Sequence, residues 1–78
     1  MFAEADMKTG AVYVLLSEGA VARTVDVSDV IMVDVGDDDV PLGIEFAVPV
    51  GAVGHDDWYA LAKVVPEVKE IFAKSFPA

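Results

Sequence analysis

Three acidic residues occupy strand-like positions: Asp26, Asp34 and Glu45. Two of them could form an acid–base pair. Paired glycosidase carboxylates lie roughly 5 to 9.5 Å apart. The hairpin pairing described below sets Glu45 level with Val30, four residues from Asp34, so these two acids are expected about 13 Å apart. Asp26 and Asp34 are expected about 7 to 8 Å apart, but no nucleophile or proton shuttle lies near them. We predict no catalytic residue and treat the three acids as candidates for binding a partner.

A run of turn acids, Asp37, Asp38 and Asp39, could offer hard oxygen ligands to calcium. The run lacks the loop spacing and the terminal bidentate glutamate of an EF-hand, so hydrated carboxylates are favoured, and we keep the three as partner-binding candidates. His55 is the sole histidine, and no further ligands follow at a recognisable metal-site spacing. The sequence therefore predicts neither a metal nor a cofactor.

The elements that must position these acids centre on residues 30–46, which contain two runs rich in Val and Ile around Gly36 and three aspartates. Such a pattern predicts a β-hairpin. Pairing outward from the turn sets Val35 opposite Val40, Val33 opposite Leu42 and Ile31 opposite Ile44 on the core face. The other face then has Asp34 opposite Pro41 and Met32 opposite Gly43. Because proline lacks an amide donor, the strand with Pro41 should lie at a sheet edge, or that position should face a gap.

Further strands are predicted at 2–5, 11–16 and 21–27. The run at 11–16 is apolar on both faces, which is typical of a strand inside a sheet. A three-residue turn after Val27 would pair Val25 with Val33 and put Asp26 on the face of Asp34. A two-residue turn would bury Asp26 unpaired, which is costly, so the longer turn is preferred.

The periodicity changes after residue 54, where apolar residues at spacings of three and four predict a helical segment over 55–76. Its apolar stripe is Trp58, Leu61, Val65, Val68 and Phe72. Asp56 or Asp57 could cap it, and Pro66 either kinks it or begins a second helix. Tyr59 is evenly balanced between an interface and plain surface, and we keep it as a partner-binding candidate.

These elements predict an α+β fold: a small antiparallel β-meander sheet of four to five strands with a C-terminal helix, or kinked helix pair, on one face. The 78 residues suit one domain, with a sheet core at 1–46, a connector at 47–54 and the helical segment at 55–76. A chain this short with 55% hydrophobic residues is expected to cover some of them with a second copy or a partner, so a homodimer or larger homo-oligomer is predicted.

The formal net charge is −9, and the acids are concentrated before residue 58. A surface of that sign repels phosphate backbones and anionic lipids, so neither direct nucleic-acid binding nor membrane binding is expected. The chain has no cysteine, which fits a reducing compartment. The first residues lack the pattern of a signal peptide, and no apolar run is long enough to cross a membrane, so a cytoplasmic location is expected.

Short motifs recur from Asp6 to Glu45, over about half the chain: Ala11-Val12-Tyr13-Val14-Leu15-Leu16, the acidic turn, and Gly43-Ile44-Glu45. Their order resembles the DUF2283 family, small bacterial and phage proteins of unknown function. The family usually has glycine late in the turn, where this chain has Asp39. The resemblance implies a sheet with little helix, no established activity, and antitoxin-like partners for some members.

Two hypotheses of function follow. The first is a non-enzymatic, acidic protein-binding module, antitoxin-like or directed at a phage or host factor, that engages a basic protein. The alternative is a metal-dependent hydrolase whose site is assembled across a dimer interface, where acids of two chains could meet.

Overall fold

Five antiparallel strands form one sheet in the computed structural model, which describes residues 2–68. The strands are β1 (Phe2–Ala5), β2 (Val12–Leu15), β3 (Arg23–Asp26), β4 (Ile31–Val35) and β5 (Pro41–Phe46). Their order across the sheet is β1-β2-β5-β4-β3. A helix, α1 (His55–Val64), follows the sheet. The predicted α+β class with an antiparallel sheet is confirmed, and β5 lies at its centre between β2 and β4.

The β4–β5 hairpin forms as predicted, but its register is shifted by two residues. Val33 pairs with Ile44 and Ile31 with Phe46, and a bulge interrupts the ladder between Asp34 and Val35. The bulge accommodates Leu42, which the simple pairing had placed opposite Val33. Because side chains alternate with a period of two, a shift of two keeps Ile31, Val33 and Ile44 on the core face and Asp34 on the other. At the bulge, Pro41 instead of Val40 pairs with Val35, and Val40, predicted on the core face, is 42% exposed.

Of two further predictions about the strands, one is confirmed and one is partly wrong. The three-residue turn after Val27 is confirmed, since Val25 pairs with Val33. Pro41 does not lie at a sheet edge, so that alternative is wrong. Pro41 is the first residue of β5 and lies beside the bulge. The last residue of β2 pairs with Gly43, so no residue of β2 is opposite Pro41 or needs an amide donor from it.

Helix α1 packs its apolar stripe against the sheet. Leu61 and the following Val65 are fully buried, and the ring of Trp58 lies 5.5 Å from that of Phe46. Asp57 takes part in capping as predicted, but from the third helical position: Gly54 is the N-cap, and Asp57 accepts a 3.0 Å hydrogen bond from its amide. The helix ends before Pro66, and the later part of the predicted segment, including Phe72, lies outside the described residues.

The core lies between α1 and one face of the sheet. Its buried apolar residues are Ile31, Val33, Val35, Leu42, Ile44, Phe46, Leu61, Val65 and Val68. The connector between sheet and helix contains a short 3-10 turn, Val50–Ala52. Within residues 2–68, no helix has the length and apolar character that a membrane crossing requires.

Candidate functional site

The sheet surface opposite α1, here called the outer face, carries the acids that the sequence singled out. Alternation along each strand places Glu45, Asp34 and Asp26 there, while their neighbours Ile44, Val33 and Val25 face the core. The remaining outer-face residues are Glu4, Tyr13, Leu15, Thr24, Met32 and Gly43. None of these outer-face residues is basic. The prediction that Asp26 lies on the same face as Asp34 is confirmed.

One residue from each strand forms a row across this face, here called the acidic row. In sheet order its members are Glu4, Tyr13, Glu45, Met32 and Asp26. The three acids are exposed, and Tyr13 and Met32 between them are half-buried. Neighbouring strands lie about 4.8 Å apart, so the carboxylates recur about every 10 Å along the row.

Beside the acidic row, three polar side chains join across the sheet. Asp34 accepts a 2.7 Å hydrogen bond from the Thr24 hydroxyl through Oδ1 and a 3.0 Å bond from the Tyr13 hydroxyl through Oδ2. Tyr13 reaches Asp34 by crossing β5 above Gly43, which pairs with Asp34. Both carboxylate oxygens of Asp34 are therefore engaged within the chain.

The environment of Tyr13 changes its acidity. Partial burial, the hydrogen bond to Asp34 and the negative charges of Asp34 and Glu45 together raise the pKa of the phenol above its usual value. Each of these disfavours the phenolate, because the neutral hydroxyl donates to Asp34 and an added charge would lie beside two carboxylates. Tyr13 therefore acts as a hydrogen-bond donor that orders the outer face.

The separation of Asp34 and Glu45 differs from the sequence-based prediction. The shifted register pairs Glu45 with Met32 instead of Val30, so Asp34 is its diagonal neighbour. Diagonal neighbours lie about 7 to 8 Å apart, not about 13 Å. The distance between Asp34 and Glu45 therefore falls within the range of catalytic carboxylate pairs and does not exclude such a role. The feature that distinguishes Asp34 is that it accepts hydrogen bonds from two hydroxyl groups. Asp26 also pairs with Met32 and is diagonal to Asp34, as predicted.

The acidic turn directs its carboxylates apart. Asp38 accepts a 3.3 Å hydrogen bond from the amide of Val40, and Asp39 forms an ion pair with Arg23. Asp39 has φ +62°, in the left-handed region, at the place where the resembled family usually has glycine. Within residues 2–68, no three acidic or histidine side chains converge as a metal site would require.

The helix-borne candidates lie elsewhere. Tyr59 is 72% exposed on α1, and His55 is exposed at its first turn. Neither belongs to the outer face, because α1 packs on the opposite side of the sheet. The structure thus groups Asp26, Asp34 and Glu45 but does not group them with Tyr59.

An open depression of about 350 Å³ lies at the β1 end of the acidic row. Glu4, Asp6, Tyr13 and Glu45 line its polar side, and Ala5, Ala11 and Val12 complete it.

Comparison of the chain with models of known protein families, with curated proteins and with solved structures finds no match.

Sequence reasoning missed Tyr13 and Gly43 as members of this site. Tyr13 was placed only as a strand residue, and its contact with Asp34 joins positions far apart in the chain. One signal was present: glycine inside a strand often marks a close approach to the backbone, and Gly43 is such a residue.

Proposed function

We propose that this chain is a non-enzymatic binding module whose outer face engages a basic protein. One observation carries the proposal: the outer face presents Glu4, Asp26, Asp34 and Glu45, and no described Lys, Arg or His shares that surface. Opposite charge on a partner would steer encounter and fix orientation, while like charge would reject nucleic acids.

The contrast with the other described cations supports this assignment. Arg23 is paired with Asp39 at the end of the sheet, Lys8 lies in the β1–β2 turn, and Lys63 is in the last turn of α1. The face is therefore acidic locally as well as on average. The antitoxin-like role implied by the family resemblance would be one form of this function.

The test is binding of a labelled oligolysine peptide, measured by fluorescence anisotropy over a range of salt concentrations. We expect affinity to fall with salt, because ion pairs between solvent-exposed charges are weakened by ionic screening. The variant with Glu4→Gln, Asp26→Asn and Glu45→Gln should bind about tenfold more weakly, at about 0.5 kcal/mol for each lost pair.

The matched control removes the same charge from other exposed positions: Glu18→Gln, Asp29→Asn and Asp56→Asn. It should keep most of the affinity. Equal losses of affinity in the two triple variants would mean that the peptide responds to the net charge of the protein and does not bind the outer face, and the proposal would then fail.

The predicted homodimer is a separate proposal. Within residues 2–68 the exposed large hydrophobic residues are Met7, Val21, Val40 and Tyr59, on several different elements. The single chain therefore covers most of its described apolar side chains, which weakens the argument from composition. Light scattering at micromolar concentration decides the question, and a monomeric mass would exclude the dimer.

The alternative function, a hydrolase assembled across a dimer interface, needs Asp34 and Glu45 of two protomers to converge. Both oxygens of Asp34 already accept hydroxyl hydrogen bonds within one chain, which favours the binding module. Hydrolysis of a phosphoester or ester panel with divalent metal, abolished by Asp34→Asn, would support the alternative instead.

A further inference from the structure

We infer that the occupant of the outer face is an amphipathic α-helix lying across the strands, with Lys or Arg at every seventh residue and apolar residues between them. This inference rests on the proposed function, because it specifies the basic partner that the outer face would engage.

The acidic row sets the spacing. Its carboxylates belong to β1, β5 and β3, the first, third and fifth strands of the sheet order. The half-buried Tyr13 and Met32 stand between them on the second and fourth strands. The row therefore alternates charged and apolar side chains at about 4.8 Å steps, and spans about 19 Å.

An α-helix matches this spacing. Seven residues advance a helix by about 10.5 Å and return to nearly the same side, so cations at positions i, i+7 and i+14 would meet the three carboxylates. Apolar residues at i+4 and i+11 fall on the same stripe and would meet Tyr13 and Met32. An extended strand repeats one side about every 6.8 Å, which does not match the row.

Tyr13 is held in place for such a contact. Its Cα lies between Glu4 and Glu45 in the register, and its hydroxyl is bonded to Asp34. The ring is therefore fixed at the side of the acidic row, where it lies over Gly43. The face of a fixed aromatic ring beside two carboxylates can contact both an aliphatic side chain and a bound cation. The Asp34–Tyr13 bond thus positions a contact residue without itself lying in the row.

The experiment measures, by fluorescence anisotropy, the binding of three labelled peptides of the same length and net charge to the full chain. The first is helical, with lysines at i, i+7 and i+14 and leucines at i+4 and i+11. The second is helical with lysines at i, i+5 and i+10, which point to three different sides. The third carries a central proline that prevents a continuous helix. We expect the first to bind about tenfold tighter, equivalent to about 1.4 kcal/mol.

A charge exchange tests the alignment at its centre. Glu45→Lys should weaken the binding of the first peptide. Replacing that peptide's central lysine by glutamate should restore its binding to the variant. Glu45 is exposed, so the variant is expected to fold, and circular dichroism checks this. No restoration would overturn the alignment.

The outcomes separate the two proposals. Equal affinity for all three peptides, lost in the outer-face triple variant, would overturn the helical spacing and leave the basic-partner function standing. Tighter binding of the proline peptide would overturn the helix in favour of an extended partner. Absence of binding by every peptide would overturn both proposals.

Discussion

The hydroxyl of Tyr13 donates a 3.0 Å hydrogen bond to Oδ2 of Asp34, although β5 lies between the strands that carry them. The contact is possible because Gly43 occupies β5 beneath the ring and presents no side chain. The segment that contains Tyr13 and the segment that begins at Gly43 are therefore in direct contact.

Gly43→Ala should destabilise the fold by about 2 to 4 kcal/mol, through steric overlap and loss of a hydrogen bond. A β-carbon at this position would overlap the ring and hydroxyl of Tyr13. Urea unfolding measures the change. Gly51→Ala is the control, because a β-carbon there meets no atom within 4 Å. A Gly43→Ala protein as stable as the control would contradict the placement of Tyr13.

Tyr13→Phe should remove part of the alkaline sensitivity of the fold. The pKa of Tyr13 is raised in the folded state, so its stabilising contribution is complete below the unfolded pKa of about 10 and is lost as pH rises through the folded pKa. The variant should lose about 1 kcal/mol at pH 7 and decline less steeply above about pH 10.

The measurement for Tyr13→Phe is the free energy of unfolding at several pH values on both sides of that range. Tyr59→Phe, which removes an exposed phenol on α1, should keep the wild-type slope. Identical alkaline slopes for the two variants would show that the phenol of Tyr13 makes no such contribution.

The faces of the sheet could be predicted from sequence because they depend only on alternation. Val33 and Ile44 face the core, and Asp34 and Glu45 face outward, in either register. The register itself could not be predicted, because a shift of two residues preserves both faces and the pattern does not reveal which strand contains a bulge. That one uncertainty changed the expected Asp34–Glu45 separation by about 5 to 6 Å.

The centre of the site was beyond sequence reasoning for a different reason. The position of β5 between β2 and β4 brings Tyr13 next to Gly43, 30 positions later in the chain. Local patterns assign residues to strands but do not order the strands. The acidic row depends on that order, since its alternation arises only when β5 separates Tyr13 from Met32.

Asp39→Gly should be more stable than Asp39→Ala by about 1 kcal/mol. The residue has φ +62°, which glycine adopts without steric cost and alanine does not. Both variants lose the ion pair with Arg23 equally, so their difference reports the backbone alone. Asp38, which is not among the described residues with positive φ, should show the reverse order. The same order at both positions would contradict the turn geometry.

Leu61→Ala should destabilise the fold by about 2 to 5 kcal/mol, because it leaves a cavity where α1 meets the sheet. Leu61 is fully buried in the core cluster that contains Ile31, Val33 and Ile44. Lys63→Ala, an exposed change in the same helix, should stay within about 0.5 kcal/mol of wild type. Chemical unfolding compares the two, and equal small effects would mean that α1 does not close the core face. In that case the acids of the outer face would no longer lie opposite a packed helix, and both faces of the sheet would be open to a partner.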